Sequence, residues 1–394
     1  MEHKKRIWQV LASVPLYAVL VALFVPSVRR AAEAHTELYW GYLFLCAFLL
    51  SFLIMPHVIN LGFKLDAVDR PDADRKQHEK ATPVTGGVAI YIGFAVTVLV
   101  NFHFSVEMKA ILVASTLILV VGVIDDLFGI PARIRLLVQL VASLILIYFG
   151  VRVTFVPPWL GGVYTETLIT LVWLIGITNS MNFIDGMDGL AVGTSVIYAV
   201  FFAIIALMTE QFYMMYLAVA VAGSCLGFFP YNFRIRKPAR AFLGDSGSTF
   251  LGFLFASFAI LGEWGDSILD IAVPIIIMSV LIFDMTLTTI VRIHTGEVKG
   301  FGEWLRYTGR DHFHHRLMAL GIDEKVAALI FFSVSICFGL EALALLFSDI
   351  WISLVIVAHS ILVFIVIGVI LVLRTSFDDA PPIQRSPPGA SRAE

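Results

Sequence analysis

Apolar residues in this chain come in long unbroken runs, separated by short polar stretches, without the one-faced periodicity of a soluble helix or strand. A helix that crosses a bilayer needs roughly 20 mainly apolar residues, fewer where the protein interior shortens it. Twelve segments fit: Ile7 to Val25, Leu38 to Met55, Gly86 to Phe102, Ala110 to Ile124, Leu136 to Val151, Leu168 to Met181, Leu190 to Met208, Phe212 to Phe229, Ser248 to Leu261, Ile271 to Val291, Val326 to Phe347 and Trp351 to Leu373. The pattern predicts an all-α, polytopic membrane bundle of about 11–12 transmembrane helices.

Composition agrees with lipid as the main solvent: of 394 residues, 59% are hydrophobic and only 14% charged, which excludes a set of soluble domains. Cys46, Cys225 and Cys337 all lie in apolar runs without CxxC spacing, so they read as packing residues. The net charge of -3 matters less than where charge sits. With a cytoplasmic N-terminus, all of the 27 basic residues except Arg29, Arg30, Lys109 and Arg152 fall on the cytoplasmic side. The first run follows Lys4, Lys5 and Arg6, lacks a small-residue cleavage site, and reads as a retained anchor. Residues 1–373 then form one membrane domain: an extra helix and loop (1–37), a core (38–325) and two C-terminal helices (326–373). The proline-rich stretch 374–394 reads as a disordered cytoplasmic tail.

On that topology five polar segments share the cytoplasmic face: "RPDADRKQHEKATPVTGG" from Arg70, Asp125-Asp126 with Arg133 and Arg135, "NFIDGMDGL" from Asn182, "NFRIRKPARAFLGDSGS" from Asn232, and "RDHFHHRL" from Arg310. Asp125 and Asp126 sit where Gly129 and Pro131 stop a helix, and two anions at the negative end of a helix dipole need a cation or a solvated helix end. Asp185 and Asp188, three apart, would share a face if helical; taken singly, this motif could equally cap the helix from Leu190, and Asp245 the span that follows it. Taken together, acidic and amide oxygens at several helix ends beside a basic rim suit Mg2+, with Mn2+ as the alternative ion, bridged to substrate phosphates.

Lys80, Arg133 and Arg135 are expected in loops beside these acids, where an arginine fork holds phosphate through two hydrogen bonds. Arg234, Arg236 and Lys237 read as topology signals. The crowded His312, His314 and His315, followed by Arg316, suit hydrogen bonding to phosphate oxygens better than zinc, since no cysteine lies near. Asp284 falls inside an apolar run, and two roles stay open for it: a bond to a neighbouring helix, or a place in the lining of a lipid groove.

These motifs, in this order between about Pro56 and Gly321, resemble the polyprenyl-phosphate N-acetylhexosamine-1-phosphate transferase family, to which phospho-N-acetylmuramoyl-pentapeptide transferase is a more distant relative. The resemblance implies Asn182 and Asp245 as Mg2+ ligands with Asp185 and Asp188 close by, and Asp125-Asp126 as the acidic pair at the acceptor phosphate. It implies phosphate contacts from Lys80 and Arg135, stacking of Phe242 on uracil, and a uridine contact from Asn232, although "RIRKPAR" lengthens the Asn232 to Phe242 spacing. "HFHH" is similar to the aminosugar branch, so the implied donor is UDP-GlcNAc or another UDP-HexNAc. Arg133-Ile134-Arg135 departs from the family's usual lysine.

The implied reaction moves HexNAc-1-phosphate from UDP-HexNAc to undecaprenyl phosphate in a bacterial cytoplasmic membrane. Its partners are those two substrates and the bilayer; nucleic acid is not expected, and a homodimer is left open. Two rivals are a secondary transporter, which would place its ionisable residues near the midplane, and a CDP-alcohol phosphotransferase, whose DGxxAR signature is missing at Asp185-Gly186.

Overall fold

The computed structural model describes residues 2–70, 81–102, 105–264, 271–300, 303 and 311–378. Its helices are α1 (Glu2–Leu23), α2 (Pro26–Glu33), α3 (Thr36–Lys64), α4 (Gly86–Asn101), α5 (Val106–Phe128), α6 (Ala132–Tyr148), α7 (Val163–Ile184), α8 (Leu190–Met208), α9 (Phe212–Asn232), α10 (Gly244–Leu261), α11 (Ala272–Ile277), α12 (Ser279–Thr295), α13 (Phe313–Ala319), α14 (Glu324–Leu345) and α15 (Ile350–Asp378). A two-residue antiparallel ladder pairs β1 (Val68–Asp69) with β2 (Thr82–Pro83), with Val68 opposite Pro83.

Every one of the twelve apolar segments is helical, but length and composition qualify eight helices as spans on their own: α3, α5, α7, α8, α9, α10, α14 and α15. The rest fall short for local reasons. Residues Ser13–Leu23 meet α2 at 67°, where Pro26 opens the second helix, and the bent pair counts as at most a ninth span. α4 is apolar but only 16 residues long. α6 has 17 residues and begins on Ala-Arg-Ile-Arg. The run from Ile271 to Val291 is interrupted at Met278, giving two helices that are each too short. At the far end, α15 continues to Asp378, beyond the residue 374 at which the polar tail was expected to begin.

Lipid tails are as apolar as the side chains they meet, so helices in a membrane associate through close packing and not through exclusion of water. α9 shows this against α3: a Cβ added to Gly223 would lie 2.5 Å from the Phe44 carbonyl, and one on Gly227 would lie 2.5 Å from that of Phe48. α9 and α10 are the central helices, with 78% of an 18-residue apolar stretch of each buried, whereas the same length of α15 is 17% buried and lies at the edge. The antiparallel succession of helices brings the C-terminal ends of α5, α7 and α9 to the N-terminal ends of α4, α6, α8 and α10 at one end of the bundle. The segment before α4 is tied there by backbone bonds, Phe242 N–H to the Pro83 carbonyl (2.8 Å) and Gly86 N–H to the Phe242 carbonyl (2.9 Å).

Candidate active site

α10 begins without a cap of its own, because the residue before it is Leu243. The Asp126 carboxylate on α5 takes that role from another helix: Oδ1 accepts the Asp245 N–H at 2.8 Å and Oδ2 the Ser246 N–H at 3.1 Å. The approach requires glycine at two places. A Cβ on Gly122 would lie 2.4 Å from the Ser246 Cα, and Gly244, at φ +79°, has no room for one beside the Val84 carbonyl. Asp245 therefore stands in the first turn of α10, not at its N-cap, and the helix dipole favours its charge there.

One guanidinium joins the acids. Arg135 Nη1 donates to Asp125 Oδ2 at 2.7 Å and to Asp245 Oδ2 at 2.9 Å. Asp125 Oδ1 accepts the Ile130 N–H at 2.7 Å, so both of its oxygens are engaged. Asn182, at the C-terminal end of α7, donates through Nδ2 to Asp245 Oδ1 (2.8 Å) and to the Ser248 hydroxyl (2.9 Å). Asp125, Asp126, Arg135, Asn182 and Asp245 thus form one hydrogen-bonded group. Arg133 and Arg135 lie in the first turn of α6, not in a loop; Arg133 is exposed. Lys80 lies outside the described residues.

Residues 185–189 form a turn between α7 and α8, so Asp185 and Asp188 do not share a helix face. Asp188 does not cap α8 either: Gly189 is the N-cap, and Asp188 Oδ2 accepts the Ala239 N–H at 3.1 Å. Asn232 fastens the same turn, accepting the Gly189 N–H at 2.9 Å and donating to the Ala241 carbonyl at 3.0 Å. With both ends of its amide on backbone, Asn232 holds two loops together. Phe242 is half-buried in the neighbouring segment. Burial, followed by the charges of Asp245, Asp126 and Asp188, raises the Asp185 carboxyl well above the usual carboxylate range.

The histidines lie on the short helix α13, and the group that docks it was only partly legible. Asp284, buried on α12, accepts the Phe313 N–H at 2.6 Å through Oδ1 and faces His312 Nδ1 at 3.0 Å through Oδ2. Of the two roles left open for it, the bond to a neighbouring helix is the one the structure shows. Arg292, also buried, pairs with Asp311 through Nε and Nη2, each at 2.7 Å, and Arg316 Nε donates to the Asp311 carbonyl. Burial raises the Asp311 carboxyl, but the hydrogen bonds and charge of Arg292 outweigh it and leave the pKa below the ordinary value. Arg292 and Asp311 were not foreseen as a pair; the available signal was the spacing of Asp284 and Arg292 by two helical turns in an apolar run.

His312 packs on Phe183, with ring centroids 4.9 Å apart. The His314 ring lies 4.1 Å from that of His315 and is wholly buried, and neither ring nitrogen has a hydrogen-bond partner among the described residues. A Cβ on Gly186 would come within 2.5 Å of its Nε2. Burial, aided by the charge of His315, lowers its pKa to about 3.

Asn182 and Asp245 present their side chains to one another, and the opposite assignment of the amide would set two oxygens face to face, which needs a cation between them. The described residues hold no group of three or more His, Cys, Asp or Glu side chains in metal-binding range. Asp245, the Asn182 amide and nearby Asp185 fit Mg2+, which keeps waters and takes one or two carboxylates together with substrate phosphates.

Fold and site together define a polytopic helical membrane enzyme with its polar chemistry collected at one end of the bundle. Residues 108–263 match the family model described as glycosyl transferase family 4. A probable undecaprenyl-phosphate N-acetylglucosaminyl 1-phosphate transferase of Bacillus subtilis is 35% identical over 325 residues, 80% of this chain and 87% of the relative. A decaprenyl-phosphate N-acetylglucosaminephosphotransferase of Mycolicibacterium smegmatis is 30% identical over 370 residues, 85% of this chain and 89% of the relative. A phospho-N-acetylmuramoyl-pentapeptide-transferase of Caldicellulosiruptor bescii is 28% identical over 324 residues, 76% of this chain and 95% of the relative. The chain belongs to this family of membrane transferases and is an enzyme, which removes the transporter reading.

Proposed function

We propose that this enzyme transfers HexNAc-1-phosphate, GlcNAc-1-phosphate in the first instance, from UDP-HexNAc to undecaprenyl phosphate and releases UMP, as the initiating step of a cell-envelope polysaccharide. The names of the two relatives that act on N-acetylglucosamine support the sugar and the lipid acceptor. The observation that carries the reading is the Arg135 guanidinium held between the carboxylates of Asp125 and Asp245, a phosphate-binding group beside the residues suited to Mg2+. The strongly one-sided basic residues support a bacterial cytoplasmic membrane with the site toward the cytoplasm.

In the proposed reaction an oxygen of the lipid phosphate attacks the sugar-linked phosphorus of the donor. The bond from that phosphorus to the bridging oxygen breaks, and UMP departs with its electron pair. Mg2+ held by Asp245 and Asn182 would supply charge neutralisation for the departing UMP. Arg135 and Arg133 bind and orient phosphate oxygens. A lipid phosphate has a second pKa near 6 and is largely dianionic at neutral pH, so it needs little help from a base. Asp125, with both oxygens engaged, is suited to orienting Arg135 and not to attack on phosphorus, so the transfer is a single displacement. The neutral His314 imidazole has no hydrogen-bond partner among the described residues and lies buried beside Gly186, so it would donate a hydrogen bond to the donor only where the 185–189 turn moves aside.

Purified enzyme incubated with Mg2+, undecaprenyl phosphate and a panel of UDP-sugars tests this. UDP-GlcNAc should yield UMP and a lipid product in equal amounts. Turnover confined to UDP-MurNAc-pentapeptide would overturn the donor, and exchange of labelled UMP with UDP-GlcNAc in lipid-free enzyme at the turnover rate would overturn the single displacement.

A further inference from the structure

Arg135 lies within hydrogen-bonding distance of both Asp125 and Asp245, and its two bonds are unequal. The Asp125 side chain is 6% exposed and its second oxygen is fixed by the Ile130 N–H, so that half of the bridge is buried and rigid. Asp245 is 38% exposed and Arg135 itself 36%, so the other half opens toward solvent and toward whatever anion enters. A guanidinium on Asp245 neutralises the charge that a dication would use, and at such short range two cations cannot share the carboxylate without mutual repulsion. Once the guanidinium leaves, Asp245 faces Asp126 and Asp185 with that charge uncompensated.

We propose that Arg135 is a resident counter-ion that keeps the metal-free site closed, and that a phosphate ester draws it off Asp245 while it stays on Asp125. Metal and phosphate ligand then bind with positive coupling: each raises the affinity for the other by the same factor. The inference rests on the metal reading of Asp245 and Asn182 above. The phosphate belongs either to the donor nucleotide or to the lipid acceptor, whose chemistry at the guanidinium is the same.

The test reads Mn2+ affinity of the purified, substrate-free protein by electron paramagnetic resonance, alone and with UMP or undecaprenyl phosphate in micelles. Wild-type protein should bind Mn2+ weakly alone and about tenfold more tightly with one of the two, which identifies the source of the phosphate. Arg135→Gln should bind Mn2+ about tenfold more tightly than wild type without any ligand, and should keep only the smaller coupling that comes from direct contact of metal and phosphate. Arg133→Gln, one charge removed at an exposed neighbour, should bind Mn2+ as wild type does. If Arg135→Gln does not fold, Arg135→Lys, which keeps the charge but lacks the fork, should show weaker coupling. An unchanged affinity and coupling in Arg135→Gln, or an equal gain in Arg133→Gln, would overturn the proposal while leaving the metal site standing. Mn2+ binding that survives Asp245→Asn would instead overturn the metal reading on which it rests.

Discussion

Asp126 on α5 caps α10 by accepting the backbone N–H of Asp245 at 2.8 Å, so one of two adjacent acids has its carboxylate occupied by a helix end. Its neighbour Asp125 points instead to Arg135. Adjacent residues on a helix face directions about 100° apart, and the pair divides into one residue that holds a helix end and one that holds Arg135.

Asp126→Ala should therefore lower stability as well as activity. A lost N-cap costs about 1 kcal/mol, and two backbone donors left without an acceptor add to that. Asp126→Asn keeps one acceptor and should recover part of the loss. Thermal unfolding in detergent measures the first effect, and the Mg2+ concentration at half activity the displacement of Asp245. An inactive Asp126→Ala protein with wild-type unfolding would show that the carboxylate acts on substrate directly.

Asp284 anchors the histidine-bearing α13 through the Phe313 N–H and His312. Asp284→Ala removes the acceptor of the buried Phe313 N–H and leaves His312 only its 3.5 Å contact with Arg292, and should cost about 1–3 kcal/mol in denaturant unfolding. It should also raise KM for the donor more than it lowers kcat. Asp284→Asn, which still accepts the Phe313 N–H, should restore much of the stability; equal loss in both variants would argue against the cap.

His314 sets an acid limit on stability. Its folded pKa of about 3 lies below the ordinary 6.5, so between these values the unfolded chain binds a proton that the folded protein refuses. The contribution of this group to stability is complete above pH 6.5 and is lost as pH falls toward about 3. Asp284, His312 and His315 also face this ring, and Asp284 works in the opposite direction. The Tm of His314→Gln should fall less steeply with acidification than that of wild type. Parallel curves for the two proteins would assign the acid loss to other groups.

Topology can be read with an impermeant thiol reagent in a background lacking Cys46, Cys225 and Cys337. Cysteine at the exposed Arg236, beside the site, should react only after the membrane is opened. Cysteine at Trp159, 80% exposed at the other end of α7, should react in intact cells. Labelling of Arg236→Cys in intact cells would place the site on the outer face.

Much was legible in the sequence because a bilayer leaves few choices. An apolar run must satisfy its backbone hydrogen bonds internally, so each of the twelve runs had to be a helix whatever its neighbours. One-sided positive charge and the order of the polar motifs likewise need no coordinates, and they led to the enzyme family. The structure decided which polar groups meet. Whether Asp188 caps α8 or reaches Ala239, which two loops Asn232 ties together, and whether Asp245 caps its own helix all depend on contacts 40 to 120 residues apart in sequence, as between Asp126 and Ser246. Such pairings are set by how closely helices pack, and here Gly122 and Gly244 let α5 and α10 approach until one helix's carboxylate reaches the other's backbone. A motif states which chemical groups are available; hydrogen-bond range is a few ångströms, and only the folded arrangement of separate helices determines which of them fall within it.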